Sequence, residues 1–218
     1  SAPPLALTVG VLALQGDFAE QLPLGQVPLV WFRLSRGRLR IETGSPERGV
    51  DELLQVGETV RLVPFDNPSS VPWRRWAAEG LRLLDRNDEA RALADEELAL
   101  ARRWGDPYAI GASLRVLGLV EGGKAGIGLF REAVEVLAGS EARLEHARAL
   151  VDLGAALRRA NRRSEARDRL REGVDLLTLD APERDLSVTY VELEAASGRD
   201  AITAAWKLIR PGFALAVA

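Results

Sequence analysis

Apolar residues return every three or four positions from Val71 to Leu177, and the interruptions are short turns of Gly, Asn or Pro. That period predicts amphipathic helices separated by tight connections. "VPWRRWAAEGLRLLDRND" leads into "EARALADEELALARRWGDP", "YAIGASLRVLGLVEGG" into "KAGIGLFREAVEVLAGS", and "EARLEHARALVDLGAALRRAN" into "RRSEARDRLREGVDLL". Three helical hairpins follow one another.

The hairpins repeat in detail. Gly154 and Ala166 stand twelve apart, one on each helix of a pair, and so do Ala78 and Ala90 and, upstream, Gly37 and Gly49. Tiny residues at both places let two antiparallel helices approach closely. The unit around Gly118 keeps its glycine but has a shortened turn, with Gly126 and Phe130 in the later positions. This spacing resembles the tetratricopeptide pattern, which Leu153, Gly154 and Ala166 match best. The units are nearer forty residues than the usual length of roughly 34, so the copies are degenerate. One such hairpin cannot bury its apolar face alone, and stacking neighbours supplies the missing cover. The expected fold is all-α, a right-handed α-solenoid of tetratricopeptide-like hairpins.

A second resemblance lies in longer phrases. "RGRLRIETGSPERGVDELLQVGE", "NPSSVPWR", "ADEELALARRWGDP", "LRVLGLVEGG" and "ARALVDLGAALRRANRRSEARDRLREGVDLL" resemble the helical-repeat region of large ATP-binding LuxR-family transcriptional regulators, the MalT-like group. The resemblance covers roughly Leu22 to Leu177. In that family the repeats lie between an N-terminal ATPase and a C-terminal helix-turn-helix and receive an inducer or a regulatory partner. Both ends of this chain depart from the pattern. Repeats are therefore expected over residues 1–177. Residues 178–218 read as divergent helices that cap the open end.

The opening "VGVLALQGDFAE" resembles the first strand of the glutaminase subunit of pyridoxal phosphate synthase, over a dozen residues only. That reaction needs a thiolate nucleophile, and the chain has no Cys. Read as helix, "ALTVGVLALQG" followed by "DFAEQLP" reproduces the layout of "LRIETG" followed by "SPERGVDELL". A helical hairpin is the expectation for Val9–Glu20, with a local strand as the alternative.

Composition narrows the chemistry. The chain has 218 residues, 47% hydrophobic, enough for a sizeable core. No run of about 18 apolar residues exists, and "SAPPLAL" lacks the basic start of a secretory signal, so a cytoplasmic protein without a membrane span is expected. Met is absent and the chain opens on Ser1, which suits a processed protein or a piece of a longer regulator. Arg dominates the basic residues, a bacterial signature. A net charge of −3 gives no field that favours DNA, and no direct nucleic-acid binding is expected. Without Cys, disulfides, thiolate metal sites and thiol nucleophiles are excluded together. "GLVEGGKA" begins like a phosphate-cradling loop, but Ala125 stands where Ser or Thr should hold magnesium, and a helix rather than a strand is expected before it. His146 has no His or Cys neighbour, so it reads as a packing residue rather than a metal ligand. Trp31, Trp73, Trp76 and Trp104 read as hairpin packing more than as an aromatic pocket. In "RRANRRSEARDRLR" acidic residues interleave with Arg, as on a salt-bridged helix face. No catalytic residue, metal site or cofactor is expected.

One constellation remains. In a tetratricopeptide-like solenoid the concave wall is lined by the first helix of each pair, at fixed offsets from its small residue. Those offsets select sixteen positions, Trp31, Arg38, Arg75, Glu79, Arg82, Arg115, Arg148 and Arg158 among them. Six of the sixteen are Arg and one is acidic, so the expected groove is positive although the molecule is not. Forked guanidinium donors suit carboxylates and phosphates, which implies an acidic protein segment or an anionic small molecule as ligand. The alternative is that some of these Arg residues pair with Glu or Asp on the neighbouring hairpin. The expected function is a non-catalytic recognition or signal-receiving module of a LuxR-family-like regulator, with a further copy of the chain among the partners considered. An enzyme or small-molecule-binding protein on the same scaffold, or a structural adaptor, is the competing class.

Overall fold

The computed structural model describes residues 27–62 and 66–178. The expectations for Val9–Glu20 and for residues 179–218 lie outside these residues. The chain divides into two compact units, Ser1–Asp106 and Pro107–Ala218. In the first unit the helices are α1 (Val27–Glu42), α2 (Pro46–Val60), α3 (Trp73–Leu83) and α4 (Asn87–Trp104). In the second they are α5 (Pro107–Glu121), α6 (Gly123–Ala138), α7 (Arg143–Arg159) and α8 (Arg163–Thr178). Among the described residues there is no strand.

Each predicted pair of small residues sits where two helices cross. A Cβ placed on Gly49 of α2 would stand 2.6 Å from the Gly37 carbonyl oxygen of α1. In the second hairpin Ala78 and Ala90 are both fully buried. In α6 a Cβ on Gly126 would meet the Gly118 carbonyl oxygen at 2.6 Å, and one on Gly118 would meet the Phe130 ring at 2.8 Å. For the last hairpin, a Cβ on Gly154 would come within 2.7 Å of Leu170 and 3.2 Å of the Ala166 carbonyl oxygen. Backbone therefore touches backbone at these crossings, which no larger side chain would allow. Hairpins also pack on one another: α2 meets α3 where Gly57 lies against the indole of Trp73.

The shortened turn after Gly118 has a backbone cause. Gly122 and Gly123 both have positive φ, 62° and 51°, so two residues reverse the chain directly from α5 into α6. The segment before "GGK" is helix, so it offers no strand to aim a phosphate loop, and "GLVEGGKA" is a turn between helices.

Burial departs from simple amphipathicity in the second unit. Every residue from Gly111 to Gly118 of α5 is buried, and so is α7 from Glu145 to Leu157 apart from half-buried Arg148. These two first helices are covered on nearly all sides rather than on one stripe, as in the middle of a stacked repeat. The fold is all-α, of the tetratricopeptide-like solenoid class. No helix among the described residues is long and apolar enough to cross a membrane.

Candidate functional site

In the first unit the expected wall positions lie on α1 and α3. Trp31 is half-buried. Arg38 donates through Nε to Glu42 one turn on, at 2.6 Å, and through Nη1 to Glu79 of α3. Its guanidinium also lies 5.6 Å from the Trp76 ring centroid. Arg38 and Glu79 thus clasp the two hairpins together, as charge-assisted pairs do where water is partly excluded. Arg75 is only 2% exposed. Arg82, in the last turn of α3, is half-buried, and its Nε is enclosed with no hydrogen-bond partner among the described residues.

In the second unit the expected wall positions lie on α5 and α7. Arg115 is 3% exposed, and its Nη1 donates to Asp152 of α7 at 2.8 Å. Its Nε lies 3.6 Å from Glu145, which also receives Arg148 at 3.5 Å. A buried ion pair contributes little net stability by itself, but stripping one partner leaves a desolvated charge behind. Arg158, near the end of α7, is half-buried. No ion pair or hydrogen bond engages its side chain among the described residues.

The expected positive hollow is accordingly reshaped. Arg38 and Arg115 are engaged by carboxylates on the neighbouring hairpin, the alternative left open by the sequence. Arg75 and Arg115 lie too deep to touch a ligand on an intact wall. Partly accessible wall residues are Trp31, Arg38, Glu79 and Arg82 in the first unit, and Arg148 and Arg158 in the second. Arg82 and Arg158 occupy equivalent places, four residues after Ala78 and Gly154.

The remaining candidates resolve case by case. His146 is 9% exposed on α7, with Nε2 unbonded among the described residues. Burial holds its imidazole below the usual range, with Glu172 of α8 opposing weakly. Among the described residues no cluster of three or more His, Cys, Asp or Glu is placed to hold a metal. Trp73 is fully buried, Trp76 half-buried, and Trp104 is 48% exposed, its Nε1 donating to the Asp66 carbonyl oxygen at 3.1 Å. The four tryptophans do not share one pocket. In the Arg-rich run, Arg162 binds Glu165 through two hydrogen bonds and Arg169 binds Glu172, which makes it a salt-bridged face. An open groove of about 320 Å³ runs along α8, lined by Asp168, Arg171, Glu172, Asp175 and Leu176. Sequence reading missed the polar cluster of buried Arg74, Arg75 and Glu97 with half-buried Asp66. Its signal was an acid in the small-residue seam Ala90, Ala94, Glu97, Ala101 of α4.

No family model and no curated protein matches the chain. Solved structures do match in fold. Aspartyl phosphate phosphatase F from Bacillus subtilis superposes with a TM-score of 0.63 at 14% identity, over 88% of this chain and 52% of its own. A Rap protein complexed with competence and sporulation factor superposes with a TM-score of 0.53, also at 14% identity, over 83% of this chain and 63% of its own. The chain thus spans about half to two thirds of each neighbour. At this identity the likeness is one of fold: the chain shares the helical-repeat architecture of these proteins, and the specific LuxR part of the sequence resemblance gains no support from them.

Proposed function

We propose that the chain is a recognition module that holds an acidic protein segment against the first helices of its hairpins. The observation that carries this reading is the state of the wall. Its inner guanidinium groups are tied into clasps that fix the helices, while Arg82 and Arg158 stay partly open at equivalent positions. Both sit in the last helical turn, where the macrodipole favours a cation. A partly desolvated guanidinium binds a carboxylate more strongly than a freely hydrated one. The second neighbour, seen in complex with competence and sporulation factor, lends this reading support by analogy of fold. An anionic small molecule is the lesser form of the same chemistry.

The test is fluorescence anisotropy with a panel of labelled ten- to fifteen-residue peptides, acidic and charge-neutral. Acidic segments should bind, and Arg82→Glu for the first unit or Arg158→Glu for the second should weaken them about tenfold or more with helical circular dichroism intact. Equal binding of acidic and neutral peptides, or indifference to both substitutions, contradicts the proposal.

The wider setting, a MalT-like bacterial regulator acting in the cytoplasm, rests on the quoted phrases. A gene that encloses this segment between an ATPase and a helix-turn-helix would establish it. The name of the first neighbour favours a second reading, an activity toward an aspartyl phosphate. Phosphate release from acetyl phosphate, used as an acyl phosphate probe, tests it: turnover abolished by no wall substitution would place a catalytic site elsewhere.

A further inference from the structure

Helix α4 packs on α3 through Ala90, Ala94, Leu98 and Ala101, all buried. Glu97 stands in the same seam, three residues after Ala94 and four before Ala101. It is 0% exposed, and neither carboxylate oxygen accepts a hydrogen bond among the described residues. Across from it α3 carries Arg74 and Arg75, each 2% exposed. Arg74 is already engaged: its Nη1 and Nη2 donate to Asp66, and its Nε lies 2.9 Å from Glu96. Glu96 is also reached by Arg61, just past α2, at 3.3 Å. Among the described residues, the charged groups around Glu97 are Arg74 and Arg75 from α3, Asp66 from the segment before it, and Glu96 from its own helix, with Arg61 one step behind. Two cations favour ionisation of Glu97, and two carboxylates oppose it.

A carboxylate in an apolar seam without a hydrogen bond is costly, whereas the neutral acid is not. Here burial outweighs Arg75 and Arg74, and Asp66 and Glu96 add to it, lifting the Glu97 carboxyl to about 7. We propose that Glu97 is a proton-operated latch on the α3–α4 hairpin: the neutral acid lets α3 seat against α4, and ionisation loosens that seat. Because α3 also carries Glu79 and Arg82, the latch regulates the recognition wall, a consequence that rests on the function proposed above. The proton is held more tightly in the folded state than in the unfolded one, whose value is 4.5. The stabilisation is thus complete below that value and is lost as pH rises through about 7.

The test is amide hydrogen exchange by mass spectrometry on the full chain at about pH 6 and about pH 8, corrected for intrinsic exchange, for the wild type and Glu97→Gln. In the wild type, α3 and α4 peptides should open about tenfold more readily at the higher pH, the ratio that follows from moving a carboxyl from 4.5 to about 7. In the variant the pH response of these peptides should vanish, with α7 and α8 peptides behaving alike in both proteins. The same pH response in both proteins, or none in the wild type, overturns the proposal. Should the variant fail to fold, carbon-13 titration of the wild-type carboxyl groups decides: one Glu with a midpoint near 7 supports the latch, and all midpoints in the ordinary range overturn it. Neither readout needs a ligand, so failure of the latch is separable from failure of the recognition reading.

Discussion

Arg115 and Asp152 illustrate what a single residue does in this fold. Both are buried, and the pair spans the gap between α5 and α7. Asp152→Ala should cost about 3–5 kcal/mol in urea unfolding, because Arg115 keeps its desolvation penalty and loses a compensating charge. Replacing both by Leu should recover much of that loss. Equal effects of the single and double changes would mean that packing, not charge, matters there. His146 makes a different residue-level claim. Its imidazole is held below the usual value by burial, so the folded state binds fewer protons than the unfolded chain. Its contribution is whole above the unfolded value near 6.5 and declines as pH falls below it. Thermal unfolding monitored through the second unit should show a steeper loss between about pH 7 and about pH 5 in the wild type than in His146→Gln. Offsets along a helix told which face a wall residue occupies, but not how deep it sits. That Arg75 and Arg115 lie on first helices was legible and their burial was not, because burial depends on which neighbour lies over the face.

At the scale of elements, the crossings were legible and the enclosure of α5 and α7 was not. A residue pattern shows small side chains twelve apart, which is a local property. Cover on a second side comes from a neighbouring hairpin, as between α5 and α7, which periodicity does not encode. Helix α6 offers an internal comparison. Gly126→Ala would push a Cβ to 2.6 Å from the Gly118 carbonyl oxygen, a backbone atom that cannot swing away. Gly128, two residues on, is exposed and has nothing within 4 Å of its own Cβ position. Gly126→Ala should destabilise by about 1–3 kcal/mol, and Gly128→Ala should stabilise by up to about 1 kcal/mol through helix propensity. Chemical denaturation of the two variants checks the pair. Similar shifts in both would show that α5 and α6 do not touch at Gly118.

For the whole molecule, 29 basic and 32 acidic residues leave a net charge of −3, yet most of the wall's charge is spent internally. On the proposed function, recognition depends on a few partly accessible guanidinium groups rather than on a long-range field. Affinity for an acidic segment should therefore fall only modestly, by less than about tenfold, between about 0.05 and about 0.5 M salt. A steep salt dependence would point to the exposed Arg residues of the α7–α8 turn instead. The most direct measurement is nitrogen-15 NMR of the arginine Nε–H groups while the best-binding acidic peptide is titrated in. The resonance of Arg82 in the first unit or of Arg158 in the second should shift with saturation, and those of Arg159, Arg163 and Arg167 should stay in place. Shifts confined to the latter three, with Arg82 and Arg158 silent, would contradict the account.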